Sequence, residues 1–330
     1  EQDYERRSGK VTNPRVISEY SVTIDRKISN DRSNAKYLID ENIRDGFDFD
    51  LSKGEKTFID MSSKLQYEPR LYPLCKWAIS QPGVTIKEER HTKEDRSYSS
   101  ECKGNSQISA HERYILFTQY LQRPWTMVAH HFDGVILIST SRKRRYGGRF
   151  DLEIYNGLKF KQYMTAEKQN GLPDTDSPVD NRATFEMMVR TDLMDGEDII
   201  KLCSAAEIDA LRGGHDFEPI ELRTVRERKI SKVSGSAVTV MQNELVGVAS
   251  NVSGITRSDI DSNNVQVYKV AEKKVSDIKS ENGVAEEVGQ FYSFLFDVLT
   301  RVKKFLVGHE ACEITFDPFG CEITFKSITR

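Results

Sequence analysis

From Ala205 to Arg226 the sequence reads AAEIDALRGGHDFEPIELRTVR. Side chains alternate between the two faces of a β-strand, so Glu207 and Asp209 are expected on one face, and Glu221 and Arg223 likewise share a face. The loop Leu211–Pro219, which contains two adjacent glycines, can turn the chain back and pair the two strands. The stretch therefore predicts that three carboxylates converge.

Clustered carboxylate oxygens are the ligands that Mg²⁺ or Mn²⁺ requires, and two-metal phosphoryl chemistry uses such a cluster. An acid followed by a Glu-x-Lys strand is a general nuclease arrangement. Alternating acids on strands are also typical of a solvated sheet face. Taken alone, the pattern leaves both interpretations open.

The flanking segments alternate between strand and helix patterns. Alternating or continuous apolar runs predict strands, and apolar residues at helical spacing predict helices. The predicted strands are Val16–Val22, Trp125–Ala129, Gly134–Thr140, Phe185–Thr191, Ala205–Ala210, Pro219–Arg226, Gly254–Thr256 and Gln266–Val270, and the predicted helices are Asp151–Thr165, Ser236–Val248 and Glu286–Val307. Val135–Ile138 is apolar on both faces, which predicts a buried strand.

The tail contains a small repeat. Cys312-Glu-Ile-Thr-Phe316 recurs as Cys321-Glu-Ile-Thr-Phe325, with the turn sequence Asp317-Pro318-Phe319-Gly320 between the two copies. Cys, Ile and Phe fall at every second position, so one face of each strand is apolar. The repeat predicts a hairpin that packs on the body of the fold. No linker divides the chain convincingly, so residues 1–330 are predicted to form a single domain.

Composition limits the classes of function. The 330 residues carry 48 Lys and Arg against 51 Asp and Glu, a net charge of −3, so there is no global basic field for non-specific nucleic-acid binding. No apolar run approaches the roughly 20 residues of a membrane helix, and no secretory signal is visible. Five scattered cysteines without a CxxC pair favour reduced thiols, and hence an intracellular protein of the cytoplasm or nucleus.

Several motifs resemble, in order along most of the chain, those of the DXO-type decapping exoribonuclease family, which are RNA 5′-end decapping hydrolases. Gly157-Leu158-Lys159-Phe160-Lys161 resembles the family's Gly-apolar-x-apolar-Glu helix motif. Glu207–Ala210 matches its Glu-x-Asp-x motif, and Glu221–Thr224 resembles its Glu-x-Lys-Thr motif. Gln242, on the following predicted helix, matches a substrate-contacting glutamine.

The resemblance implies a single α/β domain with twisted mixed β-sheets flanked by helices. Family members remove incomplete, unmethylated or NAD caps from RNA 5′ ends, and several degrade the RNA body as exonucleases. Two divalent cations, Mg or Mn, bridge the acidic motifs, so Glu207, Asp209 and Glu221 are the expected catalytic and metal-binding residues. Some members bind a larger nuclear exoribonuclease, which is therefore an expected partner beside RNA 5′ ends or nucleotides.

Three motif positions depart from the family. Lys161 stands where the helix motif has Glu, and Arg223 stands where the strand motif has Lys. The family's Arg-x-x-x-Trp element occurs only as Arg123-Pro124-Trp125, so its arginine is displaced or absent. A slip in the alignment would make Glu153 or Glu167 the missing helix acid.

Lys161 is the most serious of these changes. At about 100° per residue it shares a helical stripe with apolar neighbours, so it points inward and needs a carboxylate partner. Three acids facing Lys161 and Arg223 leave a formal sum of −1, whereas a divalent cation gains most from uncompensated anionic oxygen. Weakly bound or absent Mg or Mn is the expectation.

We expect one cleft lined by three acids, two cations and an amide: Glu207, Asp209, Glu221, Lys161, Arg223 and Gln242. Three hypotheses follow. The pocket still binds RNA ends or nucleotides, through groups such as Arg223, Gln242, Lys161 and Arg123, while hydrolysis is weakened or lost. Alternatively, the chain is an active Mg- or Mn-dependent decapping enzyme for NAD, triphosphate or unmethylated caps, or it is a scaffold or regulatory partner.

The histidines are weaker candidates. His130 and His131 precede Asp133, but adjacent residues on a strand face opposite ways, which favours surface or packing roles. His215 lies in the loop between the two acidic segments, where an ordinary loop histidine is the simpler interpretation.

Overall fold

A computed structural model describes residues 8–59, 125–132, 135–140, 149–214, 216–227, 233–258, 265–317 and 322–328. Its helices are α1 (Arg149–Met164), α2 (Val233–Val246), α3 (Val275–Lys279) and α4 (Val284–Leu306). Its strands are β1 (Lys10–Val22), β2 (Ile28–Ser29), β3 (Tyr37–Leu38), β4 (Asp45–Asp50), β5 (Trp125–Phe132), β6 (Val135–Thr140), β7 (Thr165–Ala166), β8 (Thr184–Asp195), β9 (Asp198–Glu207), β10 (Ala210–Arg212), β11 (Glu218–Arg226), β12 (Ser250–Ser258), β13 (Val265–Lys274), β14 (Ala311–Asp317) and β15 (Glu322–Ser327).

The chain divides into two compact units, and each unit uses two separate segments of sequence. The first contains Glu1–Tyr67 and Arg144–Asp297, and the second contains Glu68–Lys143 and Val298–Arg330. The single domain expected over residues 1–330 stays a prediction.

Two sheets form the first unit. Sheet A has the strand order β2-β1-β8-β9, and sheet B has the order β4-β13-β12-β11-β10-β3-β7. Sheet B is mixed, because β11 runs parallel to β12 while β12 runs antiparallel to β13. A parallel pair needs a crossover connection, and α2 lies in the connection between β11 and β12. The α/β class with mixed sheets flanked by helices is thereby confirmed.

The predicted strand Ala205–Ala210 is divided between the two sheets. β9 ends at Glu207 in sheet A, and β10 begins at Ala210 in sheet B. β10 pairs with β11 through Ala210↔Ile220 and Leu211↔Pro219, so the predicted pairing across the glycine loop is confirmed. The expectation of one continuous strand is wrong, because the chain leaves sheet A before it joins β11.

Helix α1 packs on sheet B through a buried apolar cluster. Phe160 and Met164 of the helix lie with Leu222 and Val252 of the sheet, and all four are at most 2 % exposed. Gly254 is required at this contact, because a Cβ atom there would lie 2.6 Å from the Phe160 ring. The packing fixes which residues of α1 face the sheet.

The second unit contains the sheet β15-β14-β5-β6. The tail hairpin is confirmed: β14 pairs antiparallel with β15, and its apolar positions Cys312, Ile314 and Phe316 are buried. β5 and β6, both predicted as strands, pair antiparallel. The buried strand predicted at Val135–Ile138 is wrong, because β6 lies at an edge of this sheet and Val135 is 56 % exposed.

The long helices occur close to their predicted limits. α1 extends from Arg149 to Met164, α2 begins three residues before the predicted Ser236, and α4 extends from Val284 to Leu306. Within the described ranges, no helix is both long enough and apolar enough to cross a membrane.

Candidate active site

Asp209 lies at the junction where the chain passes from sheet A to sheet B. It is 9 % exposed, and its Oδ2 accepts a hydrogen bond from the backbone N–H of Leu222 at 2.8 Å. Asp209 immediately precedes β10, and its carboxylate binds the edge of β11 at Leu222. The prediction that Glu207 and Asp209 share one face of a single strand is wrong, because Ile208 and Asp209 are not in a strand.

Lys161 of α1 forms an ion pair with Asp209, between its Nζ and Asp209 Oδ1. The lysine side chain is 28 % exposed and the aspartate side chain 4 %. Burial disfavours the charged lysine, but Asp209, Glu207 and Glu221 outweigh it and raise the pKa of Lys161 above its ordinary value. The inward direction predicted from the helical stripe is what the structure shows, and Lys161 is an ammonium.

The other two acids lie beside this ion pair. Burial, with a contribution from Asp209, raises the pKa of Glu221 to about 7, although Lys161 and Arg223 oppose the shift. Burial also raises the pKa of Glu207, at the end of β9, against the opposing effect of Lys161. Burial of these two carboxylates therefore outweighs the effect of Lys161 on their pKa values.

Arg223 is held by neutral hydroxyl groups. Its Nη1 donates to Thr239 Oγ1 of α2, and its Nε donates to Ser253 Oγ of β12 at 3.3 Å. Thr239 in turn donates to the carbonyl of Gly235 at 2.8 Å. Burial lowers the pKa of Arg223, while Glu221 and Glu281 act to raise it.

A cleft of about 590 Å³ opens beside Arg223 in the first unit. Its lining includes Asn251 and Ser253 of β12, Gly235 and Ser236 of α2, and Asn156 of α1. The lining is rich in amide and hydroxyl groups. Of the six residues expected in one cleft, Arg223 is the one among the described residues that line it, and Glu281 lines it too.

Gln242 and Arg123 are the other two residues predicted to bind substrate. Gln242 is exposed on α2, three residues after Thr239, and is not among the described residues that line the cleft. Arg123 and His215 lie outside the described residues. The roles of Gln242 and Arg123 stay predictions, and the neighbouring His130 and His131 are exposed on β5 of the second unit.

The alternative helix acids pair with other cations, and Glu153 lines the same cleft as Arg223. Glu153 is exposed and pairs with Arg226 at 2.7 Å, and Glu167 is exposed and pairs with Lys36 at 3.0 Å. Lys161 is therefore the residue of this helical region that meets Asp209.

Sequence patterns missed a fourth carboxylate. Glu186 of β8 is the cross-strand partner of Glu207, and its Oε2 accepts a hydrogen bond from Tyr20 Oη at 2.6 Å. Its position on an alternating strand was visible, but only the strand register places it next to Glu207. In the part of the chain that the structure describes, no group of three or more His, Cys, Asp or Glu side chains is arranged to hold a metal ion.

The fold and the acidic segments define a nuclease class. The sequence model of the family described as "RAI1 like PD-(D/E)XK nuclease" matches residues 12–328, and the chain belongs to this family. The resemblance to decapping hydrolases is confirmed.

Individual relatives are distant in sequence. Decapping nuclease dom-3 of Caenorhabditis elegans is 25 % identical over 258 residues, which cover 73 % of this chain and 62 % of that protein. Rai1 of Candida albicans in complex with pU5-Mn²⁺ has a TM-score of 0.62 at 20 % identity, covering 98 % of this chain and 91 % of that one. Rai1 of S. pombe in complex with 3′-FADP has a TM-score of 0.64 at 15 % identity, covering 98 % and 96 %. These structures share the fold.

Proposed function

We propose that this chain binds RNA 5′ ends or nucleotides in the pocket around Glu207, Asp209 and Glu221, through cations such as Lys161 and Arg223, and that metal-dependent hydrolysis there is weakened or lost. The observation that carries the proposal is the ion pair between Lys161 and Asp209. It places an ammonium among the three carboxylates expected to hold the metal ions of a family nuclease.

The residues present do not fit two divalent cations. One oxygen of Asp209 is bonded to Lys161, and the other accepts the Leu222 N–H. Three carboxylates, one ammonium and one guanidinium carry a formal sum of −1. Because Mg²⁺ and Mn²⁺ derive their affinity from uncompensated anionic oxygen, we expect weak binding or a single site.

The same cations suit a phosphate group. Lys161 is partly exposed, and Arg223 presents guanidinium donors at the edge of the cleft. A terminal phosphate accepts charge-assisted hydrogen bonds from both kinds of group. The Candida albicans structure contains pU5 and the S. pombe structure contains 3′-FADP, so relatives of this fold accept RNA and nucleotides.

An active hydrolase that uses fewer metal ions is the second candidate. Glu207 favours it, because Lys161 forms its ion pair with Asp209 and leaves this second carboxylate available to a single metal ion. Decapping in the presence of Mg²⁺ or Mn²⁺ separates the two candidates directly.

The test compares wild type with the double variant Lys161→Glu, Arg223→Lys, which gives the two positions the side chains of the family motifs. We expect at least about tenfold tighter Mn²⁺ binding in calorimetry, because the cluster gains uncompensated anionic oxygen. NAD-capped and triphosphate RNA are then assayed with Mg²⁺ and Mn²⁺, and we expect turnover only in the double variant.

Lys168→Glu, an exposed charge reversal after α1, controls for net charge. If the double variant folds normally and binds no more Mn²⁺ than wild type, the explanation based on Lys161 is wrong. Rapid turnover by wild type would support the active hydrolase instead.

A further inference from the structure

The strand register of sheet B places the cleft floor directly beside the acid cluster. Glu221 of β11 is the partner of Asn251 on β12, which is the partner of Lys273 on β13. Two residues further along β11, Arg223 is the partner of Ser253, and Ser253 is the partner of Ala271. These six residues form two neighbouring rows on one face of the sheet.

The distances along these rows suit a nucleotide. Neighbouring strands lie about 4.8 Å apart, so Asn251 is one strand from Glu221 and Lys273 is about 10 Å away. A phosphate held between Lys161 and Arg223 would direct the rest of its nucleotide along the rows. At about 590 Å³, the cleft is in the usual range of small-molecule sites, roughly 300–1,000 Å³.

The side-chain amide of Asn251 has an unpaired donor in the cleft. Its residue is 1 % exposed, and its Oδ1 accepts a hydrogen bond from Ser253 Oγ at 2.9 Å. Its Nδ2 is buried and has no hydrogen-bond partner among the residues that the structure describes. Buried amide donors are almost always paired, so an unpaired one that lines a cleft indicates a ligand acceptor.

A buried acceptor without a hydrogen-bond partner lies in another wall of the cleft. Asn156 of α1 is 7 % exposed, and its buried Oδ1 is without a partner within the described ranges. An amide donor and an amide acceptor in one cleft match the mixed donor and acceptor edge of a nucleobase. Single-stranded nucleic acids are recognised in this way, on the exposed edges of unstacked bases.

We propose that the cleft is a nucleobase pocket, in which the Asn251 amide donates to an acceptor of the base whose phosphate lies at the acid cluster. The inference rests on the proposed function, since the phosphate site orients the base. It assigns this chain a preference for nucleotides over phosphate-bearing sugars.

The experiment measures, by calorimetry on the full chain, the affinities of inorganic phosphate, ribose 5-phosphate, AMP and UMP. We expect at least one of the two nucleotides to bind about tenfold more tightly than ribose 5-phosphate. Asn251→Ala should weaken that nucleotide about fivefold, the usual effect of one hydrogen bond, and leave ribose 5-phosphate unchanged.

Two further variants keep the test decisive. Asn243→Ala is the matched control, because Asn243 is 2 % exposed and its Nδ2 also lacks a partner in the described structure, yet it does not line the cleft. Ala271→Val narrows the floor without removing a hydrogen bond, and it should weaken the nucleotide but not ribose 5-phosphate.

The outcomes separate the two proposals. If phosphate and ribose 5-phosphate bind but neither base adds affinity, the pocket is wrong and the proposed function stands. Equal losses in Asn251→Ala and Asn243→Ala would also overturn the pocket. If none of the four ligands binds, the proposed function fails as well.

Discussion

Two clusters in the first unit each bring one cation to three carboxylates. At Arg212 of β10, the guanidinium contacts Asp40 at 2.9 Å, Glu272 at 2.8 Å and Glu218 at 3.4 Å. At Lys161, the ammonium makes its ion pair with Asp209, while Glu207 and Glu221 lie beside that pair. Arg212 is in direct contact with all three of its acids, whereas Lys161 forms an ion pair with one.

The pKa values of the acids differ between the two clusters. Arg212 lowers the pKa of Glu272, and its planar group of five N–H donors can bond several carboxylates at once. Burial raises the pKa values of Glu207 and Glu221, although Lys161 acts to lower them. Acids paired with an arginine stabilise the fold, whereas carboxylates whose pKa values are raised by burial are typical of functional sites.

The largest effect is expected from Lys161→Met. It leaves Asp209 as a buried charge without its cation, which should lower the free energy of unfolding by about 3 kcal/mol in urea titrations. Adding Asp209→Asn removes that charge and keeps an acceptor for the Leu222 N–H, so the double variant should recover most of the loss. If Lys161→Met alone is as stable as wild type, the ion pair between Lys161 and Asp209 does not contribute to stability.

The next effect depends on pH. The pKa of Glu221 rises from 4.5 to about 7 on folding, so the folded chain binds more protons than the unfolded chain between these values. Stability should therefore fall as pH rises from about 4.5 to about 7, by at most about 3 kcal/mol for this group. Glu221→Gln should flatten that part of the stability curve, and an unchanged slope would contradict the assignment.

A smaller effect is expected at the comparison cluster. Arg212→Met removes partly exposed ion pairs and should cost about 1 kcal/mol. Salt screens exposed ion pairs, and the Debye length falls to about 3 Å in 1 M NaCl. The cost of Arg212→Met should therefore diminish in 1 M NaCl. The cost of Lys161→Met should persist in the same salt, and equal salt dependence would erase the distinction between the clusters.

The smallest effect is expected from Thr239→Val. It removes one hydroxyl acceptor of Arg223 and should cost about 0.5 kcal/mol. The released guanidinium can turn toward Glu221 and lower its pKa, which a carboxyl-carbon NMR titration would detect. Thr256→Val, at a buried threonine of β12, should leave that titration unchanged.

Local periodicity predicted much of the site. The helical stripe of α1 directed Lys161 inward, and the two glycines after Arg212 predicted the pairing of β10 with β11. These features depend on neighbours within a few residues of each other. The family motifs supplied the order in which the acidic segments meet.

Features that depend on distant parts of the chain were not predictable. The division of Ala205–Ala210 between two sheets depends on partners in β8 and β11, and Glu186 meets Glu207 only through strand register. Arg223 bonds to Thr239, sixteen positions later, because α2 folds back over β11. The exposure of Val135 depends on which strands complete its sheet.

The hydrogen bond from Leu222 to Asp209 gives the site its own spectroscopic reporter. A side-chain carboxylate, rather than a neighbouring strand, accepts this amide proton of β11. Its chemical shift and its rate of exchange with deuterium therefore follow the state of Asp209 itself. A cation or phosphate that displaces Lys161 would change the signal of this one amide, while the amides paired between β11 and β12 would serve as the internal reference.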